Sequence, residues 1–233
     1  MYLVKKVKTI NNPPKPIFTI DFVGDRALQI VFYDKNINFK ALINQLKFSE
    51  IIDVCFSYQT LTLFFEPVTT NAQEFKNKVH NFLDNLIDWN SVFYNVKDDS
   101  SQQEIIKIPA CFCKTCAIDW DRAEKYTKMS FDEFITKYTN ITYKVLFIGF
   151  QPGFPFLEGL PEQLSIPRLE RPRLRVPAGS VGIGGRQTGI YTFPTPGGWN
   201  IIGKTYIKLF DIKKGAFLQS GHYIKFTVST CKQ

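Results

Sequence analysis

The stretch from Phe147 to Thr205 most limits what this chain can become. It holds eleven of the fourteen glycines, eight of the thirteen prolines and five of the seven arginines. A packed helix does not tolerate that density. Proline fixes φ and removes a backbone donor, and glycine costs ~1 kcal/mol per helical position relative to alanine. Disordered segments are poor in bulky apolar residues, yet Phe147, Phe150, Phe154, Phe156, Ile183, Tyr191 and Trp199 are interleaved here. The composition predicts short strands joined by shaped turns, with backbone approaching its neighbours closely.

The remaining chain sets the frame. At 233 residues there is length for one large or two modest domains with buried cores. No apolar run approaches the ~18 residues of a membrane span, and MYLVKKVKTINNPPKP lacks an apolar signal region. The expectation is a cytoplasmic chain with reduced thiols and no membrane partner. The formal charge of +8 is dispersed: lysines dominate both ends while arginines cluster in the Gly/Pro stretch. That pattern suits a solvated surface better than a nucleic-acid stripe, so no nucleic-acid partner is expected.

Residues 1–16 read as an extended leader broken by prolines. Strands are predicted over 18–23, 27–33, 51–58 and 60–67, with a short helix over 39–46 and a second helix after Asn71 that presents Phe75, Val79, Phe82 and Leu83 on one face. The ββαββα order predicts a small α+β domain. Residues 97–103 read as a linker. A strand over 105–112 follows, then a helix over 119–128 capped by Asp119. Another helix starts at Ser130, where Ser130 and Glu133 match a capping box. Strands are expected over 143–150, in RLRVPAG, SVGIGG, TGIYTF, NIIG and YIKLF, and in HYIKFTV. Many short strands with Gly/Pro turns indicate a barrel or sandwich.

Three features suggest chemistry. Cys111, Cys113 and Cys116 place three thiols in six residues, but a structural zinc site needs a fourth ligand. Neither His80 nor His222 has metal-motif spacing, so no metal is expected. GIGGRQTG is rich in glycine but lacks the P-loop pattern and a following helix, and reads better as a strand with a tight turn. PRLERPRLRVP sets Arg171, Arg173 and Arg175 on one face of an extended strand. That face is either a charged edge that blocks aggregation or a site for carboxylate or phosphate.

GFQPGFPFLEGLP, PRLERPRLRVPAGSVGIGG, QTGIYTFPTPGGW and NIIGKT together resemble the signature of the allophanate hydrolase subunit 1 family. That family includes the B-type subunit of the bacterial ATP-dependent 5-oxoprolinase and the Kip-type inhibitors of a sporulation histidine kinase. The segments are also similar to one half of the carboxyltransferase domain of urea carboxylase. The resemblance implies an α+β chain, with an N-terminal small α/β sandwich domain over 1–95 and a C-terminal cyclophilin-like β-barrel over 96–233. It implies a subunit of a cytosolic ATP-dependent amide-ring hydrolase, foremost 5-oxoprolinase, converting 5-oxoproline, ATP and water to glutamate, ADP and phosphate. Its partners would be the family's second barrel subunit, of the C type, and a third subunit. The alternatives are a non-catalytic kinase inhibitor, or a component of allophanate hydrolase or a biotin-dependent carboxyltransferase.

Given that reaction, Arg168, Arg173 and Gln187 are the expected catalytic residues. Gln151, Arg171, Gly184, Gly185, Thr188 and Tyr191 are the expected substrate-binding set. The reasons are guanidinium recognition of anions, backbone N–H groups facing developing charge, and polar side chains that orient the ring. PGFPF and PGGW are expected either at a subunit interface or as closures of this chain's own barrel. Two departures stand out. Relatives carry histidine-threonine where this chain has Tyr138-Thr139, and a glycine-rich turn where it has CFCKTC before Asp119.

Overall fold

The structure, a computed structural model, describes residues 15–34, 37–87, 89–93 and 104–231. Most of the expected leader and the 97–103 linker lie outside the described residues. The chain divides into two compact units, Met1–Asp99 and Ser100–Gln233.

The first unit is a four-stranded antiparallel sheet in the order β1-β2-β4-β3. Its strands are β1 (Phe18–Phe22), β2 (Ala27–Phe32), β3 (Ile51–Ser57) and β4 (Thr60–Phe65), with helices α1 (Phe39–Gln45) and α2 (Ala72–Asp84). Alternation drives the sheet: Leu61, Leu63 and Phe65 of β4 are buried, and the intervening residues are half-buried. Both helices start as the sequence predicts. Asn38 and Asn71 accept from the N–H groups of Ala41 and Glu74 at 3.2 and 3.1 Å. Phe75, Val79 and Leu83 of α2 join Leu28, Ile30 and Phe32 in one core.

The second unit is a closed seven-stranded barrel in the order β10-β7-β6-β15-β5-β12-β9. Its strands are β5 (Ile105–Cys111), β6 (Thr142–Ile148), β7 (Pro155–Glu158), β9 (Ser180–Gly184), β10 (Gln187–Ile190), β12 (Asn200–Thr205) and β15 (Tyr223–Val228). Closure leaves no free edge among these strands. Between them lie helices α3 (Trp120–Thr127) and α4 (Phe131–Asn140), a ribbon of β8 (Arg173–Val176) with β11 (Thr195–Gly197), and a small hairpin of β13 (Phe210–Asp211) with β14 (Gly215–Ala216). Helix α4 begins at Ser130, whose hydroxyl accepts from Glu133 N–H at 3.3 Å. It turns Phe134, Ile135 and Tyr138 into the core formed by Val145, Leu157, Ile183 and Phe226. The α+β class and the barrel agree with the sequence reading. Among the described residues, no helix is long and apolar enough to cross a membrane.

Three local expectations are corrected. YIKLF is not a strand: β12 ends at Thr205, whose hydroxyl oxygen accepts from Ile207 N–H at 3.2 Å and turns the chain, so pairing resumes only at Phe210. RLRVPAG is a strand only over Arg173–Val176, because Pro172 and Pro177 bracket it. Arg171 therefore lies outside the strand, and the three-arginine face does not form. Asp119 precedes α3 but makes no side-chain cap; its carboxylate is engaged elsewhere, as described next.

A candidate active site against the barrel wall

A third apolar cluster lies apart from the barrel core: Phe154, Val176, Tyr191, Trp199 and Ile201, with Phe156 packed against it. The rings meet mostly edge to face. Phe154 lies 5.3 Å from Tyr191 and 5.5 Å from Trp199, centroid to centroid. Such pairs contribute about 0.5–1.5 kcal/mol beyond their buried area. Part of this cluster opens on a cavity of about 340 Å³, walled by Phe150, Phe154, Phe156, Tyr191 and Trp199, with Arg168 at its side.

Arg168 is held over that wall by its own loop. The Pro167 carbonyl accepts from Asn200 Nδ2 at 2.9 Å and from Arg122 Nη2 at 3.3 Å. Leu169 N–H donates to Gly198 O at 2.7 Å. Arg122 Nε in turn donates to Asn200 Oδ1 at 2.8 Å. The Arg168 guanidinium then lies 5.8 Å from the Trp199 ring centroid, within cation–π range, and stays exposed. Its Nη2 approaches Gln187 Oε1 at 3.5 Å. Tyr191 is 2% exposed. Burial raises its phenol above the usual value, opposed by the Trp199 main chain, Arg168 and Arg173. It is a neutral hydroxyl at neutral pH, anchored by that main-chain bond.

Phe150 forms the outer lip. Its backbone is left-handed at φ 65°, and the residue is 63% exposed. A left-handed phenylalanine costs about 1–2 kcal/mol. The loop holds it there through bonds of Gly149 N–H to Phe154 O and Phe154 N–H to Gln151 O, at 3.1 and 3.0 Å. Phe150→Gly removes both the strain and the ring. Chemical denaturation is expected to show a stability change within about 1 kcal/mol, while the cavity loses its lip. A clearly larger destabilisation would make Phe150 a packing residue instead.

Of the expected site residues, Arg168 and Tyr191 line this cavity, Gln187 reaches Arg168 from outside its lining, and the others lie differently. Arg173 pairs with Asp119, whose side chain is 5% exposed. The other Asp119 oxygen accepts from Ile201 N–H at 2.6 Å. Arg173 is thereby committed to the wall behind the site, and its Nη1 is buried without a hydrogen-bond partner among the described residues. Arg171 is exposed outside the ribbon. Gln151 Oε1 accepts from the N–H groups of Thr192 and Phe193 at 2.8 and 2.9 Å, so it clamps one loop to another. Thr188 is fully buried; it donates to Gly182 O at 2.9 Å and accepts from Tyr138 at 2.6 Å inside the barrel. Gly185 N–H donates to Ile166 O at 2.8 Å, so it is not free to face an anion. Gly184 sits in β9 against Trp199 and makes room for the indole.

A carboxyltransferase domain model (subdomain C and D) matches residues 18–218. The chain belongs to that family. A Bacillus subtilis protein, named as the B subunit of 5-oxoprolinase, is 32% identical over 90% of this chain and 92% of its own length. A Haemophilus influenzae protein of the same name is 38% identical over 77% of this chain and 80% of its own. The crystal structure of the Kluyveromyces lactis urea amidolyase superposes with a TM-score of 0.73 over 93% of this chain. That match is 18% identical and covers 15% of the larger protein, so it speaks to fold alone. Tyr138 is wholly buried in the barrel core, and its phenol is pushed up by burial.

Asp119, Arg122, Asn200, Phe150 and Trp199 were not singled out for the site from sequence. Their roles depend on partners far along the chain, such as the 54 residues between Asp119 and Arg173. Asp119 alone carried a signal, as an acidic residue placed to cap the helix that follows it.

Proposed function

We propose that this chain is the B-type subunit of a cytoplasmic, ATP-dependent 5-oxoprolinase. The observation that carries this reading is the aromatic cavity with Arg168 beside it, in a chain whose full-length relatives bear that name. 5-Oxoproline is a small, flat lactam bearing a carboxylate. Its ring suits the faces of Trp199 and Tyr191, and its carboxylate suits the Arg168 guanidinium, with Gln187 steadying that arm.

An unstrained lactam resists water until its carbonyl is activated. ATP supplies activation by transferring its terminal phosphoryl group to the carbonyl oxygen. Water then attacks the carbonyl carbon and the ring C–N bond breaks, leaving an acyl phosphate on the opened chain. A second water hydrolyses that acyl phosphate, giving the free carboxylate and phosphate. Aromatic walls would exclude water until that point. GIGGRQTG folds as a hairpin between β9 and β10 rather than a loop opening a helix. That favours nucleotide held mainly by a partner protein. Phe150, Leu174 and Phe193 are exposed on segments around the cavity, Leu174 at 93%. They suit a surface that lies against a second barrel subunit.

The test is co-expression with candidate partner subunits, followed by ATP-dependent release of glutamate from 5-oxoproline. The complex is expected to be active and the lone chain inactive. Robust activity from the lone chain would remove the need for a partner. An assembled complex with no lactamase activity would sink the reading. In an active complex, Arg168→Lys keeps the charge but loses the planar fork and the stacking on Trp199. It is expected to lower kcat/KM by about tenfold.

A further inference from the structure

The sequence reading left three clustered thiols without a fourth ligand. The fold supplies it. Cys231, just past β15, returns to the loop between β5 and α3, and the sulfurs of Cys111, Cys113, Cys116 and Cys231 all lie within 4.8 Å of one another. We propose that these four cysteines form a tetrahedral thiolate site for one zinc ion.

The spacing fits a tetrahedral metal site better than a disulfide, and among metals a four-thiolate set suits zinc. A disulfide needs its sulfurs about 2.05 Å apart; the Cys116 and Cys231 sulfurs are 3.6 Å apart. Tetrahedral zinc, with Zn–S bonds of about 2.3 Å, sets its sulfurs about 3.8 Å apart. Thiols are weak hydrogen-bonding groups and gain little from gathering for their own sake. Four of the five cysteines nevertheless converge here, from one strand end, one loop and a segment 115 residues further on.

The surroundings hold the four side chains in place. Cys113 N–H donates to Cys111 Sγ at 3.5 Å. The Cys113–Cys116 turn is closed by N–H groups of Cys116 and Ala117, which donate to Cys113 O at 2.9 and 2.8 Å. The Tyr206 hydroxyl lies 3.4 Å from Cys231 Sγ. Such outer bonds fix ligands and stabilise their charge. Four thiolates on zinc carry net negative charge. Lys114 lies within the loop, and Lys204 sits opposite Cys111 in the β12–β5 ladder. Four sulfur ligands close the coordination shell, so the ion is structural rather than catalytic. It would tie the end of β15 to the turn that leads into Asp119 and α3, and so to the support of Arg168.

The experiment uses the full chain, purified under reducing conditions from zinc-supplemented cells. About one zinc per chain is expected in the wild type and in Cys55→Ser. Cys113→Ser and Cys231→Ser are expected to fall to background. Cobalt added to the chelator-stripped wild type should give thiolate charge-transfer and tetrahedral ligand-field bands, and Cys231→Ser should lack them. Cys231 is exposed, so its loss should leave the fold soluble for that comparison. A wild type with freely titratable thiols and no metal overturns the proposal. So does a Cys116–Cys231 disulfide in peptide mass spectra, iron in place of zinc, or full zinc content in Cys231→Ser.

Discussion

Asp119→Ala is expected to destabilise the barrel unit by about 4 kcal/mol, one of the largest losses available from a polar side chain here. Two costs combine. Ile201 is 2% exposed, and its N–H loses the Asp119 acceptor; a buried donor left unsatisfied costs about 1–3 kcal/mol. Arg173 also loses its counter-ion. Its side chain is 30% exposed, so water relieves part of the charge, and the discounted cost is about 1–2 kcal/mol. Asp119→Asn keeps an acceptor for Ile201 and should lose only about half as much. Trp120 and Trp199 report unfolding of this unit by fluorescence. A double-mutant cycle with Arg173→Ala should give a coupling of at least about 1 kcal/mol. Loss below about 1 kcal/mol for Asp119→Ala would mean that the pair is incidental.

The same residue shows where the sequence was legible. Strand alternation, asparagine caps and Gly/Pro turns act over a few residues, so β4, α2 and the start of α4 could be read directly. Asp119 also looked local, standing one residue before a helix. Its true partners lie 54 and 82 residues away, brought there by barrel closure. Cys231 hid for the same reason. Cys111, Cys113 and Cys116 announce themselves by spacing, but their fourth neighbour is reached only because β15 runs parallel to β5. The arginines failed differently. Period-two reasoning assumed a strand through Arg171, whereas the strand begins only at Arg173, after Pro172. Arg168, outside any strand, is the one that meets the aromatic wall.

Gly184→Ala is expected to reduce activity of the assembled complex by about a hundredfold while the barrel still folds. Gly184 was expected to offer a backbone N–H to substrate; its place in β9 points to another role. A Cβ there would lie 2.4 Å from Trp199 Nε1 and 2.5 Å from Cδ1, closer than real Cβ contacts come. Its φ is not in the left-handed range, so alanine itself is conformationally acceptable and the conflict is with the indole. Trp199 has little freedom to yield, since Phe154, Phe156 and Tyr191 surround it at 5.5, 5.7 and 6.4 Å. Overpacking of this kind costs about 1–3 kcal/mol, which a domain of this size survives. The displaced ring takes with it both the cavity wall and the seat of Arg168. A misplacement of about 1 Å is enough for a loss of that size. Trp199→Phe in the Gly184→Ala background restores room, and should recover stability without recovering full activity, because the indole face under Arg168 is gone. Retained activity in a Gly184→Ala complex whose Trp199 fluorescence has shifted would show that the reaction takes place away from this cavity.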